Sequence, residues 1–257
     1  METTRRKYLR TSEVARAVGV HPNTVRLYEE WGFLPPIPRT RSGYRQFSAA
    51  HVDQMRLARM ALGGPWPGRT IKQSALSLVR QAASGDLGGA LEQAYTYLAL
   101  VQGERAQAEA AAEMLERWAT GTMADATSSP LHIGEAARLL GVSRDMLRNW
   151  ERNGLITVPR NPRNRYRLYG AGEIGRLRVI RMLRRAGYST MAILRMMRQL
   201  DRGQREDLRE ALDSPRDDEM QEVISAADQW LSTLTGLEQR AMELIAQLEM
   251  MIRKQHL

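Results

Sequence analysis

Arginine and hydrogen-bonding side chains recur in two stretches of this 257-residue chain at spacings suited to one chemistry. The first stretch carries Asn23, Thr24 and Arg26, then Arg39, Arg41, Tyr44 and Arg45. The second carries Arg144, Asp145, Arg148 and Asn149, then Arg160, Arg163, Arg165, Tyr166 and Arg167. Guanidinium forks fit phosphate oxygens and the guanine edge, and a carboxamide fits adenine. The plain alternative is a solvated helix face for the first members of each set and core packing for Tyr44 and Tyr166. Tyr28 and Trp150 either pack inward or reach a ligand. No nucleophile–base pair, phosphate loop or metal spacing accompanies these residues, so neither catalysis nor a cofactor is expected. The acidic run Asp217-Asp218-Glu219 falls at a helix start, where carboxylates suit the dipole.

The elements that hold them read as follows. A short helix over 12–18, capped by Thr11, ends at Gly19. Pro22 suits the first turn of a second helix, which turns Val25, Leu27 and Tyr28 inward and Asn23, Thr24 and Arg26 outward. Helix, glycine turn, helix is a helix-turn-helix pattern. Pro35, Pro36 and Pro38 forbid helix beyond it, and Ser42-Gly43 marks the turn of a small β wing that presents arginines. Helices over 49–62 and 70–83 flank the turn at Pro65-Trp66-Pro67. The pattern then repeats from Leu131 at a constant offset, with Ser143 as cap of the second copy's outward-facing helix.

Each copy leads into a long helix. Apolar or small residues at 87, 91, 94, 98, 101, 108, 112 and 115, broken at Arg105, step by fours and threes like a coiled-coil seam. The same step recurs at 220, 224, 227, 231, 234, 241, 245, 248 and 252, broken at Glu238. An amphipathic helix lying on its own domain is the simpler alternative. The expected fold is mainly α: duplicated winged helix-turn-helix domains, each followed by a long coiled-coil helix, with small β wings. The expected divisions are a first domain at 1–85, its helix at 86–119, a small polar linker at 120–130, a second domain at 131–203 and its helix at 204–257.

The formal charge of +9 points to a polyanion, nucleic acid ahead of a membrane surface. The absence of cysteine removes disulfides and thiolate metal sites. The four histidines have no ligand spacing, and no stretch approaches a membrane span or a secretory signal. A cytoplasmic, nucleoid-associated protein is expected. The basic start, Arg5, Arg6, Lys7 and Arg10, is either a frayed tail or a phosphate-binding arm.

The run Thr24-Val25-Arg26, Tyr28-Glu29, Gly32-Phe33-Leu34 and Gly43-Tyr44-Arg45-Gln46-Phe47 resembles the DNA-binding domain of MerR-type transcription regulators. The second copy matches with departures: Trp150 stands for Tyr28, and Asn164-Arg165 for Ser42-Gly43. The resemblance implies a winged domain, two further helices and a long helix that pairs antiparallel with that of a second protomer. It implies binding to double-stranded promoter DNA with an over-long spacer, which the protein distorts for RNA polymerase, at a cost of a few kcal/mol. Arg26 and Arg148 fall where the family anchors phosphate. The family's cysteine-based metal sensing has no ligands here. The linker spans up to about 36 Å when extended. The two copies are therefore expected to form a pseudo-dimer within one chain, favoured over a homodimer with four winged domains. Unlike outward faces predict unlike half-sites. The functional alternative is a DNA-architectural or recombination accessory protein.

Overall fold

The computed structural model of the chain describes residues 8–64, 68–121, 129–214 and 226–255. The basic start at Arg5–Lys7, the turn at Pro65–Pro67, most of the 120–130 linker, the acidic run at 217–219 and the seam positions Met220 and Ile224 lie outside these residues. The chain divides into two compact units. One comprises residues 1–102 together with 235–257; the other comprises 103–234.

In the first unit α1 (Thr11–Val18) and α2 (Pro22–Glu30) form the helix-turn-helix. Arg10, not Thr11, is the N-cap of α1, and its N–H donates to the Glu13 carboxylate at 2.6 Å. Thr11 is the first helical residue and is half-buried. His21 caps α2, its Nδ1 accepting from the Asn23 N–H at 3.2 Å. Val25 is fully buried, whereas Leu27 is 41% exposed. Two residues along a helix is about 200°, so Leu27 is carried to the far side from Val25. Val14, Val18, Leu34, Phe47 and Met55 close the core with α3 (Ala49–Leu62). From α3 the buried Gln54 donates to Phe33 O and to Val79 O, both at 3.0 Å, tying the turn after α2 to α4 (Arg69–Ala83).

The second unit repeats the plan with α6 (Ile133–Leu140), α7 (Arg144–Arg152), α8 (Ala171–Arg185) and α9 (Thr190–Asp201). Ser143 caps α7 as expected, accepting from Met146 N–H at 3.0 Å. Arg176 stands where Gln54 does and reaches the matching carbonyl, Leu155 O, at 2.8 Å, while its fork grips Asp201. That ion pair holds the Asp201 carboxyl below its ordinary range. The chain then departs from the first copy: a further helix, α10 (Leu208–Asp213), precedes a 3₁₀ turn at Ala226–Gln229. The last helix, α11, covers Trp230–Gln255, a shorter span than the 204–257 expected for it. The Asp213 carboxylate accepts the Leu231 and Ser232 N–H groups, a cap supplied from another helix.

In both long helices the seam keeps most of the expected positions, Ala112, Leu115 and Ile245 among them, and shifts by one residue at the others, from 91, 98, 231 and 252 to Ala90, Tyr97, Trp230 and Met251. In α5 (Leu87–Ala119) the buried residues include Leu87, Ala90, Ala94, Tyr97, Val101 and Ala108. In α11 they run Trp230, Leu234, Leu237, Ala241, Leu244, Leu248 and Met251 without a break. Arg105 and Glu238 therefore fall beside the seam. Arg105 pairs with Glu109 at 2.9 Å, and Glu238 accepts from Gln102 at 2.9 Å. In the first unit α11 is fastened to α3 through Asp53, whose carboxylate takes Lys254 at 2.7 Å and whose carbonyl takes Gln247 at 3.1 Å. In the second unit the end of α5 is held by Tyr188, which donates to Ala108 O at 3.1 Å, and by the Arg209–Glu116 pair. Trp230 packs flat against Gly187, where a Cβ would meet the ring at 2.5 Å, and its indole donates to Ala186 O.

The repeat is not gapless. The wing closes from Gly43 N–H to Thr40 O in the first copy, but from Arg165 N–H to Asn161 O in the second. The following bonds join Gln46 to Pro38 and Leu168 to Pro159. The second wing turn is thus one residue longer, offset by one residue fewer before Pro159. Single antiparallel bridges, Arg39 with Arg45 and Arg160 with Arg167, stand in place of extended strands.

Two stability outcomes follow from the differences between copies. Tyr169 replaces Phe47 in the core, and its buried hydroxyl has no hydrogen-bond partner. Tyr169→Phe is expected to stabilise the second unit by about 1 kcal/mol, read from denaturant unfolding; a loss of stability would contradict this. His51 Nδ1 accepts from Ser48 N–H at 3.1 Å while Nε2 faces Pro36 O at 3.3 Å, which requires the neutral ring. Burial lowers its pKa. A lowered folded pKa gives stability that is present above the unfolded value of about 6.5 and lost as pH falls below it. His51→Gln should flatten that acid-side loss between about pH 6.5 and 5, measured by urea midpoints.

Candidate nucleic-acid interface

The outward face of α2 carries Asn23, Arg26, Leu27 and Trp31, all exposed. Arg26 is not loose: its guanidinium donates to Asn23 Oδ1 at 3.1 Å, one turn back. In α7 the matching Arg148 donates to Asp145 Oδ1 at 2.8 Å. Each copy therefore presents a guanidinium propped by its i−3 neighbour, over an amide in one and a carboxylate in the other. Arg144 and Asn149 are exposed on α7, and Asn149 Oδ1 accepts from Asn153 at 2.8 Å. Thr24 is half-buried, while Met146, its counterpart, is exposed.

The wings are held to these helices by one carboxylate apiece. Glu29 takes Arg39 at 3.2 Å and Arg45 at 2.5 Å. Glu151 takes Arg160 at 3.6 Å and Arg167 at 2.6 Å. Arg45 and Arg167 are only partly exposed, so they brace the wing and keep one edge outward. Arg41, Arg163 and Arg165 are exposed at the tips, and Arg39, Arg45, Arg160 and Arg167 are the arginines paired with Glu29 or Glu151. Tyr44 and Tyr166 are 74% and 64% exposed and stand at the tips, out of the core. In the second wing Asn161 and Asn164 accept from Arg163 N–H and Tyr166 N–H at 2.9 and 3.1 Å. Arg165 there adopts φ 64°, the left-handed conformation that Gly43 takes at 83°.

Tyr28 is half-buried against Trp31 and Phe33, at ring distances of 6.2 and 5.6 Å, and burial raises its phenol. Trp150 is buried at 5% exposure. Sequence reasoning passed over Glu29 and Glu151, although both follow an aromatic residue at the same place in each copy. Among the described residues no group of three histidine, aspartate or glutamate side chains converges as a metal site, and no helix is long and apolar enough to cross a membrane.

A family model, "MerR HTH family regulatory protein", matches residues 9–64 and again 131–200. The HTH-type transcriptional regulator HmrR of Sinorhizobium medicae is 37% identical over 67 residues, which is 26% of this chain and 46% of that protein. A probable heavy metal-dependent transcriptional regulator of Haemophilus influenzae is 36% identical over 67 residues, 26% of this chain and 52% of its own length. The HTH-type transcriptional regulator CueR of Yersinia pestis is 38% identical over 50 residues, 20% of this chain and 36% of its own. The chain thus spans about half or less of the curated relatives it matches. No solved structure gives a significant match.

Removing the carboxylate that braces a wing tests its role. Glu29→Gln or Glu151→Gln is expected to raise non-specific DNA binding and to lower the ratio of specific to non-specific affinity by roughly fivefold, about 1 kcal/mol. Competition binding across a salt series reads both; an unchanged ratio would assign these glutamates no part in recognition.

Proposed function

We propose that this chain, which belongs to the MerR family of helix-turn-helix regulatory proteins, regulates transcription as a single-chain pseudo-dimer. Its two winged domains bind the two half-sites of one promoter, bend and untwist the spacer between them, and so present the promoter to RNA polymerase. The observation that carries the reading is the make-up of each unit. Residues 235–257, from the second copy's long helix, belong with the first winged domain, and residues 103–119, from the first copy's long helix, belong with the second. Each domain thus has a long-helix clasp that a homodimer would draw from a separate chain. The Asp53 contacts to Gln247 and Lys254, and the Tyr188 contact to Ala108, support it.

The outward faces support unlike half-sites. Position by position, Pro22, Asn23, Thr24 and Leu27 become Arg144, Asp145, Met146 and Asn149, while Arg26 and Arg148 stay equal. Equal arginines suit sequence-independent phosphate contacts; the changed residues suit base edges. The wing-tip residues Arg41, Tyr44, Arg163, Arg165 and Tyr166 take backbone contacts, and Thr11, Tyr28, Arg39, Arg45, Arg160 and Arg167 sit behind them as support or at the rim. Unequal wing turns add a second asymmetry. A DNA-architectural role would use the same faces, but it leaves the family's regulator relatives unaccounted for.

Light scattering at low micromolar concentration is expected to give the 29.2 kDa monomer, and selection from random DNA an asymmetric site. Asp145→Asn should then shift preference in one half-site by about 1–3 kcal/mol and leave the other unchanged. A dimer mass with no monomer, or a perfect palindrome, rejects the pseudo-dimer.

A further inference from the structure

The two copies carry corresponding clefts, and they differ in a telling way. In the first unit the cleft lies among Ala17 and Val18 of α1, Arg56 and Arg59 of α3, and Arg240 and Gln247 of α11. It is an open cleft of about 430 Å³ with a largely polar lining. Arg59 donates to Val18 O, Arg56 pairs with Asp53 at 3.1 Å, and Arg240 lies across Gly64. Asp53, 4% exposed, supplies the counter-charge.

In the second unit the corresponding cleft is a cavity of about 550 Å³ within a range suited to a small ligand. Gly175 stands where Asp53 does, which removes both the acid and its volume. The long helix contributes Gln107, Ala110, Ala111, Met114 and Trp118 in place of Arg240 and Gln247, so that wall is mostly apolar and carries no charge. Leu139, Val179 and Met182 extend it. Arg178, Arg181 and Arg185 remain from α8, and no acidic residue is among the lining. Arg181 corresponds to Arg59 and lies against Gly141 as Arg59 lies against Gly19. Yet its Nε is buried and has no hydrogen-bond partner. Three guanidinium groups line the cavity with no acid among them, and an anion bound there offsets their mutual repulsion.

We propose that this cavity binds an amphipathic anion: an apolar body that lies on α5 and one carboxylate received by Arg181. It goes beyond the promoter reading and does not depend on it, because binding is measured without DNA. The occupant would touch α5, α6 and α8 at once, and α6 leads directly into α7.

The test is calorimetric titration of the full chain with sodium decanoate, with decanol and decylammonium as the neutral and cationic counterparts. The expected result is one saturable decanoate site per chain, with decanol and decylammonium at least tenfold weaker. Arg181→Met should weaken decanoate at least tenfold and leave decanol unchanged. Gly175→Asp, which restores the first copy's acid, should abolish decanoate binding in a variant that retains its helical spectrum; if it fails to fold, Arg181→Met decides. Absence of saturable decanoate binding, equal binding of the three probes, two equivalent sites per chain, or an Arg181→Met variant with undiminished affinity overturns the proposal.

Discussion

One carboxylate near the end of each outward-facing helix governs what the surrounding arginines can do. Glu29 and Glu151 each collect two wing arginines, one contact in each pair at 2.5–2.6 Å. Without them the wing is a proline-rich loop with a single bridge to hold it. With them, several like charges are spaced and aimed while part of their repulsion is offset. A helix and a wing then act as one surface, and the residues propped on it, Arg26 on Asn23 and Arg148 on Asp145, acquire fixed places.

Much of this was legible in the chain. Glycine and proline placed the turn of each helix pair, and α3 begins and ends at the expected residues because Ser48 and Gly63 bracket it. The seams were legible in period and at most positions, and missed by one residue at the rest. Ala, Leu and Met occur on adjacent stripes of both long helices, so Leu98 and Leu231 competed with Tyr97 and Trp230 for the inward place. Burial went to the aromatic residues, which remove more apolar surface from water. The paired insertion and deletion around the wings was invisible because the two cancel before Tyr166. α10 was hidden because its stabilising contacts, such as Asp213 to the start of α11, are tertiary.

The copies also show how one scaffold tolerates different solutions. The carbonyl that closes the turn after the outward-facing helix is met by Gln54 in one copy and by Arg176 in the other. The first residue pair that caps the following helix is Ser48 with His51, or Gly170 with Glu173. In an isologous dimer every residue must serve both halves alike. Joined in one chain, each position answers to only one environment, and Asp53 and Gly175 can part company.

The make-up of the first unit bears on the order in which the molecule assembles. Its winged domain is synthesised well before the helix segment that completes it, with Gln247 lying 194 residues beyond Asp53. The second unit lies within residues 103–234. On the ribosome, the domain that emerges first therefore waits with the Asp53 flank of α3 uncovered, while its later twin closes. Long-range closure of this kind slows folding and leaves a partly built surface exposed in the interval. Synthesis rate through the second half of the message thus becomes a determinant of how much chain reaches its native form.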